Sequence, residues 1–218
     1  MCGRYTITTS AEKLTQLFDV EVPPEYQPRY NAAPTQWLPV ISNHQKRKIS
    51  LYSWGILPRW AQEQGSSQRL INARAETVAE KATFKNSFKK RRCLVVADGY
   101  YEWKKMNNKK IPHRILLDKE QPFTFAGLWD TFEGESGEEV PAFVIITVVA
   151  SPSVADIHDR MPAMLDKDTA DFWLSDSEDY EGLEDVLRSY PDEHLKAYAV
   201  STQVNSVKND QETLIQPV

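Results

Sequence analysis

The sequence predicts an α+β fold: a β-rich single domain with a mostly antiparallel, curled or pseudo-barrel sheet and peripheral helices. Three observations predict it. Runs of β-branched and aromatic residues bounded by turn formers recur at 37–42, 48–54, 93–97, 111–117, 123–129 and 143–149. Helical spacing is limited to a few stretches. No internal repeat or low-complexity linker divides the 218 residues, a length that suits one domain with a sizeable core.

In chain order, Thr9-x-x-Glu12 reads as a capping box opening a short helix with the apolar stripe Leu14, Leu17 and Phe18. Pro23, Pro24, Pro28 and Pro34 make 22–36 an extended, stiff loop. Strands 37–42 and 48–54 pair around a polar turn at Asn43 and His44, and residues 76–90 are helical. Asp98-Gly99 is a turn signal between strands. Residues 166–190 carry helical spacing, and 195–200 add a last strand. The domain is expected over 2–205, with a C-terminal tail at 206–218.

Composition narrows the class. Hydrophobic residues are 41% and charged residues 26%, ordinary for a soluble globular protein. No window approaches the roughly 18 apolar residues of a membrane span, and the N-terminus has no basic stretch followed by an apolar one, so no secretory signal is expected. Cys2 and Cys93 are too few for a disulfide framework. No His/Cys spacing implies a metal, and no cofactor is expected. The net charge of −5 hides an asymmetry: residues 1–120 carry 21 Lys+Arg against 11 Asp+Glu, residues 121–218 only 5 against 20. The densest basic stretch, Lys85 to Arg92, followed shortly by Lys104, Lys105, Lys109 and Lys110, is either a solvated helix end and hairpin tip or a phosphate-facing groove.

Chemistry concentrates in a few places. Trimming of Met1 would leave Cys2 with an α-amine and a thiol two carbons apart, the arrangement that closes a thiazolidine on an aldehyde. The amine titrates near ~8 and the thiol near ~8.5, so nucleophilic forms exist at neutral pH. Asn72, in Ile71-Asn72-Ala73-Arg74-Ala75-Glu76, either caps the next helix or binds a reactant, and Arg74 could fork onto a phosphate. Glu102 sits between large aromatics; it is a surface carboxylate or, if buried, an acid of raised pKa. His158 is structural or a proton carrier. Trp54 and Trp60 frame Gly55 and Pro58, as core residues or as stacking surfaces for unpaired bases.

Together, Met1-Cys2-Gly3-Arg4, Asn31-Ala32-Ala33-Pro34-Thr35, Trp54-Gly55-Ile56-Leu57-Pro58, Ile71 to Glu76, Asp98-Gly99-Tyr100-Tyr101-Glu102-Trp103 and Ile157-His158-Asp159-Arg160-Met161-Pro162 occur in an order that resembles the SRAP family, the SOS response-associated peptidases or abasic-site processing proteins. The resemblance covers about residues 2–200. It implies a DNA-damage function: Cys2 crosslinks to an abasic site in single-stranded DNA, with Asn72, Glu102 and His158 as the other catalytic residues. It also implies DNA contacts from Arg4, Asn31, Pro34, Trp54, Trp60, Arg74 and Arg160, removal of Met1 as the peptidase step, and a cytoplasmic monomer, nucleoid-associated when crosslinked. Two other classes remain open: an N-terminal-nucleophile amidohydrolase of the glutamine amidotransferase type, and a non-covalent single-strand binding module.

Overall fold

The structure is a computed structural model that describes residues 2–188, 190, 191 and 194–218 of the chain. Met1, Ser189, Asp192 and Glu193 lie outside the described residues, so the reading of Met1 and part of the acidic stretch do too. The strands are β1 (Tyr5–Ile7), β2 (Arg29–Ala32), β3 (Trp37–Ser42), β4 (Ile49–Trp54), β5 (Asn72–Arg74), β6 (Arg92–Ala97), β7 (Gly99–Met106), β8 (Lys109–Leu117), β9 (Phe123–Glu133), β10 (Glu139–Val149), β11 (Arg160–Pro162), β12 (Met164–Leu165) and β13 (Leu195–Ala199). The helices are short: α1 (Ala11–Phe18), α2 (Arg59–Glu63), α3 (Ala75–Val78), α4 (Ala82–Lys90), α5 (Pro152–Ala155), α6 (Lys167–Trp173) and α7 (Tyr180–Asp185).

Five strands close on themselves. β3 pairs with β4 and β6, β6 with β9, β9 with β10, and β10 returns to β4. All these pairings are antiparallel except β4–β10, so closure removes the sheet edges that would otherwise need protection. β10 is long enough to serve two further neighbours: past Phe143 it pairs parallel to β5 at Ile145–Thr147 and antiparallel to β11. A second, wholly antiparallel sheet runs β13-β8-β7-β1-β2. Its inner face supplies Tyr5, Ile7, Tyr100 and Ile115 to the same core that receives Val95, Phe125, Phe143 and Ile145 from the barrel. None of the described helices is long and apolar enough to cross a membrane.

Local details correct several sequence expectations. Helix α1 is capped by Ser10, whose Oγ accepts from the Lys13 N–H, because Thr9 gives its hydroxyl to Asp98. The proline-rich loop contains a strand, β2, held to β1 by Tyr5↔Ala32 and Ile7↔Arg29. Residues 76–90 split into α3 and α4. Asp98-Gly99 is not a hairpin: β6 belongs to the barrel and β7 to the second sheet, and the pair marks the crossing between them. Glycine is required there because a Cβ on Gly99 would stand 2.8 Å from Arg114 Nε and 2.9 Å from Thr6 Oγ1. The true hairpin turn is Asn107-Asn108, both at positive φ, which closes β7 on β8 with Met106 opposite Lys109.

The basic stretch is partly spent inside the molecule. Arg92 is 1% exposed and donates to the carbonyls of Phe88, Lys89, Trp173 and Ser175. Arg91 pairs with Asp130, Lys46 with Asp176, and Lys89 lies over the Tyr180 ring. The acidic segment therefore docks against the end of α4, which removes Arg92 from any phosphate-facing groove. Residues 206–218 pack back on the domain: Leu214 is buried with Tyr101, Val200 and Val204, and Asp210 pairs with Arg29.

Candidate active site

The N-terminal residues lead into β1, the strand between β7 and β2, and Cys2, three residues before that strand, is held by burial and by the Asn72 amide rather than frayed. Cys2 is fully buried, and its Sγ lies 3.8 Å from the Arg4 carbonyl oxygen. Burial pushes its thiol well above the ordinary range, with the Glu102 charge adding to the effect. Beneath it, Tyr5 packs on Trp54 at a centroid distance of 5.2 Å.

A buried carboxylate anchors this strand. Asp98 accepts from Thr6 Oγ1 (2.6 Å), from the N–H groups and hydroxyls of Thr8 and Thr9, and from Arg114 (3.4 Å). Sequence reasoning did not find this role, because Asp before Gly is read first as a turn. The threonine-rich run after Tyr5 was the available signal.

Three other chains of residues converge on Cys2. Strand β5, held by β10, brings Asn72, whose Nδ2 donates to the Cys2 carbonyl at 2.8 Å. Its Oδ1 is buried and has no hydrogen-bond partner among the described residues. The alternative of Asn72 as a helix cap is excluded, since Arg74 occupies the N-cap of α3. Strand β7 brings Glu102, 3% exposed, and burial raises its carboxyl to about 7. The turn between α5 and β11 brings His158, whose Nε2 stands 3.9 Å from Glu102 Oε2.

The Arg160 N–H donates to His158 Nδ1 at 3.0 Å, which assigns the ring proton to Nε2, the nitrogen facing Glu102. Asp159 Oδ1 also lies 3.0 Å from Nδ1, on a side chain that is 88% exposed, and its charge opposes the effect of burial on the ring. Burial lowers the His158 pKa. Desolvation thus favours the neutral form of both partners, a pair suited to passing protons either way near neutral pH. A separation of 3.9 Å is too long for a direct hydrogen bond and leaves room for a bridging oxygen.

Glu102 and His158 line a cavity of ≈ 560 Å³ together with Trp103, Lys105, Lys110 and Asn205. The Arg4 guanidinium sits 6.0 Å from the Trp103 ring and donates to Asn31 Oδ1 and the Val204 carbonyl, both at 2.8 Å. Arg160 makes a two-pronged pair with Glu76 (2.5 and 2.9 Å) and donates to the Thr147 carbonyl. Arg74 is exposed, Trp60 is 45% exposed and Pro34 half-buried.

Two sequence assignments are corrected. Trp54 is fully buried, stacked 6.1 Å from Phe143 with its Nε1 donating to the Ile71 carbonyl, so it cannot stack on a base from this position. Asn31 is 1% exposed, and its Nδ2 lies within donating distance of three carbonyls, those of Val204, Ser206 and Asn209. It binds the C-terminal segment rather than a ligand. Among the described residues no group of three His, Cys, Asp or Glu could hold a metal ion.

Comparison with known proteins places this arrangement. The family model for SOS response associated peptidase (SRAP) matches residues 1–207. The chain is 38% identical over 223 residues to the abasic site processing protein YoaM of Bacillus subtilis, covering 99% of this chain and 97% of that one. It is 33% identical to the abasic site processing protein YedK of Escherichia coli, with 100% of both covered. A crystal structure of a protein from Bacteroides thetaiotaomicron superposes with a TM-score of 0.88 at 25% identity over the full length of both chains. The chain belongs to the SRAP family.

Proposed function

We propose that this protein processes abasic sites in single-stranded DNA by closing a covalent thiazolidine through Cys2 once Met1 has been removed. The observation that carries this reading is the Asn72 amide. It grips the Cys2 carbonyl with Nδ2 and presents a buried, unpartnered Oδ1 beside the residue whose amine would need an acceptor. The names of the relatives supply the aldehyde-bearing substrate class.

The chemistry follows from the residues in place. Hydrolysis of the Met1–Cys2 bond, by the protein itself or by an aminopeptidase, frees the amine. An abasic site is mostly a closed hemiacetal. The protonated Glu102 carboxyl gives its proton to the ring oxygen and, as the carboxylate, takes the hemiacetal proton, while neutral His158 donates a hydrogen bond from Nε2 to the leaving oxygen, which exposes the aldehyde. The amine lone pair then forms a C–N bond at C1′, the carbonyl oxygen takes one proton from the amine and one from the Glu102 carboxyl, and water leaves to give an iminium. The neutral Cys2 thiol adds to that carbon and its proton passes to Glu102. One water is lost overall, and the ring removes the iminium that would drive strand cleavage by β-elimination. The exposure of Arg74 supports a contact from it to a flanking phosphate and that of Trp60 supports stacking on a base, whereas the Arg160 guanidinium is spent on Glu76 and the Thr147 carbonyl.

Intact-protein mass spectrometry tests the reading, before and after incubation with a single-stranded oligonucleotide carrying one abasic site. The expected product is the Met1-free protein plus the oligonucleotide less one water, stable without borohydride, a stability that Cys2→Ala abolishes. Retention of Met1, or a processed protein that forms no adduct, overturns it.

A further inference from the structure

Strands β7 and β8 place two lysines directly opposite each other, Lys105↔Lys110, and both line the cavity that holds Glu102 and His158. Like charges directly opposite in an antiparallel pair destabilise it. Neighbouring charges are neutralised: Lys104 pairs with Asp156, and Arg160 with Glu76. Neither the Lys105 nor the Lys110 side chain has a hydrogen bond or ion pair among the described residues, and both residues are exposed and line the cavity.

We infer that Lys105 and Lys110 form an anion subsite that holds a phosphodiester of the bound strand next to the reacting sugar. It rests on the reading of the cavity as the DNA site and specifies how that site orients its substrate. A phosphate between the two ammonium groups would relieve their repulsion and present its sugar to Glu102 and His158. Trp103 forms the adjoining wall, held by Nε1 donating to Asn205 Oδ1 at 2.8 Å. The lysines touch substrate but no reacting atom, so their effect belongs to binding rather than to the chemical steps.

The test separates the subsite from the chemistry. Affinity for an intact single-stranded oligonucleotide is measured by fluorescence anisotropy across a salt series, for wild type, Lys105→Gln/Lys110→Gln and a control, Lys119→Gln. Reaction with free 2-deoxyribose, an aldehyde source without phosphate, is followed in parallel by mass spectrometry. The double variant should bind about tenfold more weakly at low salt, with a slope of log K on log salt shallower by about 0.7 for one lost phosphate. Its adduct formation with 2-deoxyribose should equal that of wild type. Unchanged affinity and slope overturn the subsite even if wild type crosslinks normally. A shallower slope with no adduct on any substrate upholds the subsite and overturns the thiazolidine chemistry instead.

Discussion

Glu102 Oε2 lies 3.9 Å from His158 Nε2, and burial pushes the carboxyl up and the imidazole down. The carboxyl is held near 7, where an ordinary glutamate stands at 4.5. Folding therefore favours the protonated form of Glu102. Its contribution to stability is full below 4.5 and is lost as pH rises through 7. Glu102→Gln should match wild type in Tm at pH 4 and exceed it by a few degrees at pH 8, since ~1 kcal/mol moves Tm by about 2–4 °C in a domain of this size. Calorimetry across this range checks it; a constant difference at all pH values would refute the buried, titrating carboxyl.

Asn72→Ala removes the grip on the Cys2 carbonyl from an edge position. It should cost about 1 kcal/mol of stability but roughly 10²-fold in crosslinking rate, through misplacement of the amine. Single-turnover kinetics beside urea denaturation separates the two effects. Equal loss of folding and rate would reduce Asn72 to a scaffold residue.

Cys2→Ala keeps the amine and loses the thiol. It should form an imine with the abasic strand that borohydride traps, and should nick the strand where wild type does not. Absence of any trapped imine would mean that the amine is not the first nucleophile.

Asp98 holds the first strand through Thr6, Thr8, Thr9 and Arg114. Asp98→Ala leaves Arg114, 8% exposed in its side chain, without its counter-charge. A loss of about 3–5 kcal/mol is expected, measured as a fall in the urea midpoint. A loss below ~1 kcal/mol would show that water replaces the carboxylate.

The two tryptophans of the 54–60 segment should behave oppositely. Trp54→Ala opens the core and should cost about 3–5 kcal/mol. Trp60→Ala should leave stability unchanged and weaken strand binding by about 1–3 kcal/mol, the worth of one stacked base. Anisotropy and thermal denaturation of both variants decide the assignment.

Strand content was legible because alternation and turn chemistry are local. The strands at 37–42 and 48–54 formed nearly where their β-branched runs lie, as β3 and β4. What was not legible depended on distant partners. Thr9 does not cap α1 because Asp98, 89 residues away, takes its hydroxyl. Arg92 sits among consecutive cations, and nothing local says that β6 turns it inward to carbonyls of α4 and α6. Trp54 and Trp60 have the same surroundings in sequence, yet only the closing of β4 against β10 decides which is core. Asn72, Glu102 and His158 were picked out as polar residues in apolar settings, and β5, β7 and the turn before β11 do bring them around Cys2. The sequence marks Lys105 and Lys110 as part of a basic cluster, but only hairpin register sets them opposite each other.

Arg4 and Asn31 are locked to Val204, Ser206 and Asn209, so one end of the site is built from the other end of the chain. During synthesis the N-terminal residues emerge first, while the segment that fastens them, and His158 before it, are still unmade. A Cys2 amine freed early would then meet cellular aldehydes without its proton carriers in position. On the proposed chemistry, reactivity would switch on only as residues 204–209 fold into place, which would confine a chemically promiscuous terminus to molecules whose fold is already complete.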